Sequence, residues 1–147
     1  SIISMTQYCS NITTLSLQSC YHLTDEAIFS LPKIHHSLTY LDIGNCSRIT
    51  DTAISALTEA CTSLCYLSFN LCKISHSNLI SLSQYCHRLH TIELLRCHHI
   101  TDISIEFIAQ NCPLLGNINL GECHITDRAL HALSQYSQRL HTLNLTS

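Results

Sequence analysis

Short bursts of alternating apolar and polar residues recur along this chain at a fixed interval. With a mark at Ile12, Leu38, Leu64, Leu89, Leu115 and Leu140, the gaps are 26, 26, 25, 26 and 25 residues. Behind each mark the same order of residue types returns: "ITTLSLQSCYHLTDEAIFSL", "LTYLDIGNCSRITDTAISAL", "LCYLSFNLCKISHSNLISL", "LHTIELLRCHHITDISIEFI" and "LGNINLGECHITDRALHAL". Self-similarity at such a period marks a solenoid of stacked supersecondary units. The chain is read as one array: a partial repeat over 1–11, repeats over 12–37, 38–63, 64–88, 89–114 and 115–139, and a partial repeat over 140–147. Both ends fall inside a repeat, and terminal units of a solenoid need polar caps, so the sequence reads as a segment of a longer array.

Each unit predicts one strand and one helix, an α/β architecture. The opening L-x-x-L-x-L alternates, as a short strand with one buried face does. Its inward pairs are Leu15/Leu17, Leu41/Ile43, Leu67/Phe69, Ile92/Leu94, Ile118/Leu120 and Leu143/Leu145. After a cysteine and an Ile or Leu come Thr24, Thr50, Ser75, Thr101 and Thr126, predicted helix N-caps. Asp25, Asp51, Asp102 and Asp127 follow, where negative charge suits the helix dipole, and His76 breaks that series. The helices are expected to bury Ile28/Leu31, Ile54/Leu57, Leu79/Leu82, Ile105/Ile108 and Leu130/Leu133, pairs that share one face. The shorter units lose a residue between cysteine and isoleucine, "CKI" and "CHI" against "CSRI" and "CHHI", so the deletion falls in a turn.

Two cysteine series keep the period. Cys20, Cys46, Cys72, Cys97 and Cys123 close the strands, while Cys9, Cys61, Cys86 and Cys112 recur three residues before the next strand, with His35 and Ser137 in the remaining places. Disulfides, zinc and buried packing are all open to such thiols. Stacked neighbours would lie about 4.8 Å apart, near disulfide range, yet parallel units point their Cβ vectors the same way. "CHH" at 97–99 and "CH" at 123–124 invite a zinc reading, but a thiol buried in its turn cannot also swing out to share a metal. A structural ladder of small hydrophobes explains the spacing best.

The full pattern, L-x-x-L-x-L-x-x-C-x-x-I-T-D-x-x-I-x-x-L-x-x-x-C, is nearly complete in "LTYLDIGNCSRITDTAISALTEAC" and resembles the cysteine-containing leucine-rich repeat. The resemblance covers the whole chain. It implies a right-handed horseshoe solenoid with a parallel β-sheet on the concave face and helices on the convex face. It also implies that the strand-closing cysteine donates weakly to the turn backbone between units. Such repeats occur in F-box/leucine-rich-repeat proteins, the substrate-selecting subunits of cullin-type ubiquitin ligases. They occur too in antagonist-of-mitotic-exit relatives and in axonemal regulatory subunits. The function implied is a protein–protein interaction module, with substrate recognition for a ligase as the leading role and a non-ligase scaffold or regulatory subunit as the alternative. These 147 residues contain no F-box-like segment, so a ligase adaptor would be reached only through one outside them.

Composition narrows the classes further. At 46% hydrophobic and 12% charged, the chain is too apolar for disorder. Seven Lys and Arg against ten acids give a net charge of −3 and no basic stripe, so no nucleic-acid partner is expected. No apolar run reaches the length of a membrane span, and no membrane partner is expected. Gly-rich phosphate loops, G-x-S-x-G and H-E-x-x-H are absent, so the chain is read as non-enzymatic, without metal or cofactor. Ten cysteines explained without oxidation point to a reducing compartment, cytoplasmic or nuclear. Asn11, Asn45 and Asn144 begin glycosylation sequons, which matter only in the secretory pathway.

Partner contacts are sought where residues break the repeat without serving the core. Most outward strand positions are small and polar. Tyr40, Tyr66, Leu71, Leu95 and Arg96 are exceptions clustered in units two to four, and Asp42, Asn70 and Glu93 lie beside them. Tyrosine and arginine are frequent hot-spot residues, and clustered apolar side chains on a sheet face need a reason to be exposed. His22, His98, His99 and His124 are expected on one rim with Arg48 and Lys73, a solvated edge that gains charge as pH falls. Six strands present a concave strip of roughly 400 Å², about half of what each partner buries in a standard interface.

Overall fold

The computed structural model describes residues 2–31 and 37–146. His35, a sequence-predicted substitute for the helix-end cysteine, lies outside them, as does Ser147. Among the described residues, strands and helices alternate through the chain. The order is α1 (Ile2–Tyr8), β1 (Thr14–Ser16), α2 (Asp25–Ser30), β2 (Tyr40–Asp42), α3 (Asp51–Ala60), β3 (Tyr66–Ser68), then α4 (His76–Tyr85) and β4 (Thr91–Glu93). It continues with α5 (Asp102–Asn111), β5 (Asn117–Asn119), α6 (Asp127–Tyr136) and β6 (Thr142–Asn144).

The six strands form one open parallel sheet in sequential order. Register follows the repeat: Leu15 pairs with Leu41, Leu41 with Leu67, Leu67 with Ile92, Ile92 with Ile118, and Ile118 with Leu143. Parallel strands need a crossover, and here each helix supplies it. Strands stack about 4.8 Å apart, whereas packed helices need 8–10 Å, so the strand side of the stack is the short side and the array curves into a horseshoe with the sheet inside.

The core is a continuous column between sheet and helices. Leu41, Ile43, Leu67, Phe69, Ile92 and Leu94 from the strands meet Ile28, Leu57, Leu79, Leu82, Ile105 and Ile108 from the helices, all fully buried. The end unit departs from its expected burial. Leu143 and Leu145 are 40% and 43% exposed, and Leu130 is only half-buried, because among the described residues no strand or helix lies on the outer side of β6 and α6. Cys20 and Cys9 are exposed at the other end for the same reason.

The strands are also shorter than the alternation suggested. Each ends after three residues, and the chain then turns through a left-handed residue: Ser19, Asn45, Leu71, Arg96 and Glu122, with φ between 53° and 61°. Neighbouring turns stay hydrogen-bonded, as in Leu71 N–H to the Leu95 carbonyl at 2.8 Å and Arg96 N–H to Gly121 at 2.9 Å. Leu71 and Arg96 therefore stand on a stack of turns at the sheet's edge, not on the strands.

Thr24, Thr50, Ser75, Thr101 and Thr126 stand as expected at the helix N-caps, in extended backbone, but their side chains do not all cap. Ser75 accepts from Asn78 N–H and Thr126 from Arg128 N–H, but the Thr50 hydroxyl donates to Asp25 of the preceding unit. The Thr-Asp pair joins units to one another as much as it starts helices. Among the described residues, no helix is long and apolar enough to cross a membrane.

Candidate functional site

The strand-closing cysteines turn inward. Cys46 donates its S–H to the Leu17 carbonyl at 3.2 Å, Cys72 to Ile43 at 3.3 Å, Cys97 to Phe69 at 3.2 Å and Cys123 to Leu94 at 3.0 Å. Each thiol thus reaches the strand end of the unit before it. Burial pushes Cys46 up to about 11 and Cys97 up to about 12. In the helix-end series, burial pushes Cys61 to about 11, and Cys86 and Cys112 to about 12. Thiols held protonated well above neutral pH are poor nucleophiles and poor metal ligands. All ten cysteines are free.

On the concave face, β2 and β3 bring Tyr40 and Tyr66 into register. Their rings stack 4.0 Å apart and nearly parallel. Burial, then the hydrogen bond with Tyr40, holds the Tyr66 hydroxyl well above the usual phenol range, with the charges of Glu93 and Asp42 adding to it. A stacked aromatic pair of this kind offers contact area at little entropic cost.

The carboxylates beside it are less free than their positions suggested. Asp42 is 8% exposed, and its Oδ1 accepts from Gly44 N–H at 2.8 Å, so it secures the turn. Glu93 is half-buried and accepts from Asn119 Nδ2 at 2.8 Å. Asn70 Oδ1 accepts from Leu95 N–H at 2.8 Å, bridging units three and four. Between Asp42 and Glu93 in register lies Ser68, buried, with its hydroxyl unpaired.

Leu71, 42% exposed, and Arg96 sit on the turn stack beside the sheet. Arg96 Nε donates to Glu122 Oε2 at 2.7 Å, and that hydrogen bond holds the Glu122 carboxyl below its usual range. The Leu95 side chain lies over Gly121, where an added Cβ would meet its Cδ1 at 2.8 Å. The structure therefore brings Tyr40, Tyr66, Asp42 and Glu93 together on the sheet, and Asn70, Leu71, Leu95 and Arg96 on the adjoining turns. The sequence reading placed all eight on strands, because a left-handed turn without glycine leaves little mark in the alternation.

Of the residues expected on one rim, Lys73, His98, His99 and His124 are brought near one another between units three and five. His98 and His124 rings lie 5.2 Å apart. Lys73, His98 and His99 line a cavity with Leu71, Cys72 and Arg96. Among the described residues, no group of three His, Cys, Asp or Glu could hold a metal ion.

Comparison with known proteins agrees with this arrangement. No family model matches the chain. F-box/LRR-repeat protein 12 of Arabidopsis thaliana is 38% identical over 73 residues, 50% of this chain and 18% of the relative. F-box/LRR-repeat protein 4 of Bos taurus is 33% identical over 58 residues, 40% of this chain and 9% of the relative. The matched stretch is therefore less than a fifth of either relative's length.

Among solved structures, the leiomodin-1 actin-binding site 2 superposes over 94% of this chain and 86% of that one, with a TM-score of 0.69 at 11% identity. An internalin C2 of Listeria monocytogenes superposes over 96% of this chain and 74% of that one, with a TM-score of 0.58 at 21% identity. The chain has the leucine-rich-repeat fold, a horseshoe solenoid, and its sequence is similar over part of its length to F-box/LRR-repeat proteins.

Proposed function

We propose that this array is the substrate-recognition region of an F-box-type ubiquitin ligase subunit, with the Tyr40–Tyr66 face and its adjoining turns as the contact surface. The observation that carries the reading is the sequence match to two F-box/LRR-repeat proteins. It is supported by a stacked tyrosine pair on a sheet face otherwise built of small polar residues. The periodic thiols of the inner units, free and turned into the core, suit a reducing compartment, the cytoplasm or nucleus.

Affinity capture of the full-length protein containing this chain tests it. The ligase adaptor and cullin are expected to co-purify, and Tyr66→Ala should keep the adaptor while losing a substrate whose lifetime then lengthens. Capture without adaptor would remove the ligase role. It would favour a second reading, a scaffold or regulatory subunit of the kind the fold likeness to an actin-binding site illustrates.

A further inference from the structure

The strands of the sheet carry two charged residues, and both are acids. Asp42 on β2 and Glu93 on β4 stand in one row across the concave face, with Ser68 of β3 between them in register. Asp42 is 8% exposed and Glu93 half-buried, so both carboxylates bear a desolvation cost. No cation among the described residues offsets it, since the ion pairs there join Arg96 to Glu122 and Arg128 to Glu106. Each carboxylate gives one oxygen to the fold. Asp42 Oδ1 accepts from Gly44 N–H and Glu93 Oε2 from Asn119 Nδ2, both at 2.8 Å, while Asp42 Oδ2 and Glu93 Oε1 take no hydrogen bond from the described residues.

The fold does not need these charges. In units five and six amides close the same turn: Asn119 Oδ1 accepts from Gly121 N–H, and Asn144 Oδ1 from Thr146 N–H, both at 3.0 Å. An amide at position 42 would do the same without a buried charge. Glu93 closes no turn, because Leu95 N–H goes to Asn70 instead. Ser68 adds an independent observation. It is 1% exposed, its side chain shares the concave face with both acids, and its hydroxyl has no partner. An orphaned hydroxyl between two carboxylates, each with an unused oxygen, is a set of acceptors in want of a donor. Gly44 keeps the space beside them open: a Cβ there would stand 3.1 Å from Asp42 Oδ1 and 3.3 Å from Ser68 Oγ.

We propose that the row of Asp42, Ser68 and Glu93 receives the ammonium group of a lysine on the bound protein partner, an inference that rests on the recognition role above. An ammonium has three N–H donors and no acceptor, and the row presents three unclaimed oxygens, Asp42 Oδ2, Ser68 Oγ and Glu93 Oε1. The two acids lie two strand spacings apart, roughly 10 Å at the backbone, a span that their side chains narrow around one cation seated over Ser68. A guanidinium fork takes both oxygens of one carboxylate. Here each carboxylate has already given one oxygen to the fold, so a point charge is the better fit. Tyr66 stacks on Tyr40 through one ring face and turns the other toward β4, where the apolar stem of a lysine has a surface to lie on. Acetylation of that lysine would remove its charge, which makes docking sensitive to the partner's modification state.

The test is an NMR titration of the labelled protein with acetyl-Gly-Lys-Gly-amide, the same peptide carrying Nε-acetyl-lysine or arginine, and calcium chloride. Saturable shifts are expected at the amides of Asp42, Ser68 and Glu93 and at the Tyr66 ring with the lysine peptide, weaker ones with arginine, and none with acetyl-lysine. Glu93→Gln keeps an oxygen for Asn119, and Asp42→Asn keeps one for Gly44, so both variants should fold. Each should weaken binding about ten-fold or more, whereas Glu59→Gln, at an exposed site on α3, should not. An absence of saturable shifts in the row, equal binding of the acetyl-lysine peptide, or undiminished binding by Glu93→Gln overturns the assignment. Tighter binding of the arginine peptide, or of calcium, at the same residues also overturns it. In capture with the full-length protein, a partner lost by Tyr66→Ala but kept by Asp42→Asn and Glu93→Gln overturns the lysine site and leaves the recognition role standing. Failure of that role would show instead as capture that ignores Tyr66→Ala.

Discussion

At four strand ends a thiol does two things: it fills a small apolar space and donates to a carbonyl of the unit before, one that at Leu17, Phe69 and Leu94 already accepts a backbone N–H from its own turn. The recurrence of the cysteine was legible in the sequence, and so was its inward direction. The carbonyl it reaches lies 28 or 29 residues back, in the unit before, and that partner became visible only with the units stacked. The helix-end series follows similar logic more weakly, with Cys86 reaching the Thr58 and Cys61 carbonyls and Cys112 the Cys86 carbonyl, all at 3.8 Å. Ser137 occupies the same place after α6, is 8% exposed, and leaves its hydroxyl unpaired. A buried polar group without a partner costs about 1–3 kcal/mol. Ser137→Cys, which restores the larger and less polar atom of the series, should stabilise the fold by about 1 kcal/mol. Ser137→Ala, which removes the orphan, should be neutral or mildly stabilising. Thermal melts of the three proteins check this, and a loss of stability in Ser137→Cys would show that the site has no room for sulfur.

Between elements, the Thr-Asp pair is a stitch. Asp25 accepts from the N–H and hydroxyl of Thr50 at 2.8 and 2.5 Å, Asp51 from Ser75 N–H at 3.3 Å, and Asp102 from both groups of Thr126 at 2.8 and 2.7 Å. Sequence reasoning explained these aspartates by the dipole of their own helix, since a link to the next repeat has no local signature. His76 interrupts the series, and Thr101 N–H turns instead to Ser104 of its own helix at 3.1 Å. His76→Asp should restore the missing stitch between α4 and α5 and raise stability by roughly 0.5–1.5 kcal/mol. Thr101→Val in the same background should cancel much of that gain.

The sign of its pH dependence can be read from Asp102. Burial raises its carboxyl, but the Thr126 N–H and hydroxyl, Ala129 N–H and the Arg128 charge outweigh it and hold the group below its ordinary 3.8. A carboxyl depressed on folding contributes stability above its unfolded pKa and loses it as pH falls through the folded one. The gain from His76→Asp, measured by denaturant melts, should therefore be full at neutral pH and vanish in strong acid. A gain that persists in acid would assign it to something other than the carboxylate.

Across the molecule, each unit touches only its neighbours, so stability is a chain of nearest-neighbour terms. The period, element order and parallel register were legible in the sequence because every unit repeats them. The end effects and the turn stack were not, since burial at the ends depends on what lies beyond a unit and the left-handed turns carry no glycine. The units are also unequal. α3 to α6 each run ten residues, whereas α1 has seven and α2 six, and β6 exposes both of its inward leucines. Units three and four have full-length helices and covered strands on both sides, and the tyrosine pair and the row of Asp42, Ser68 and Glu93 both draw on them. Native-state hydrogen exchange followed by mass spectrometry should find β3, β4, α4 and α5 most protected, with α1, α2 and β6 opening first and at lower free energy. The functional surface would then rest on the most rigid part of the array. Uniform protection from α1 to β6 would mean that the stack unfolds as one body, and that rigidity does not single out these units.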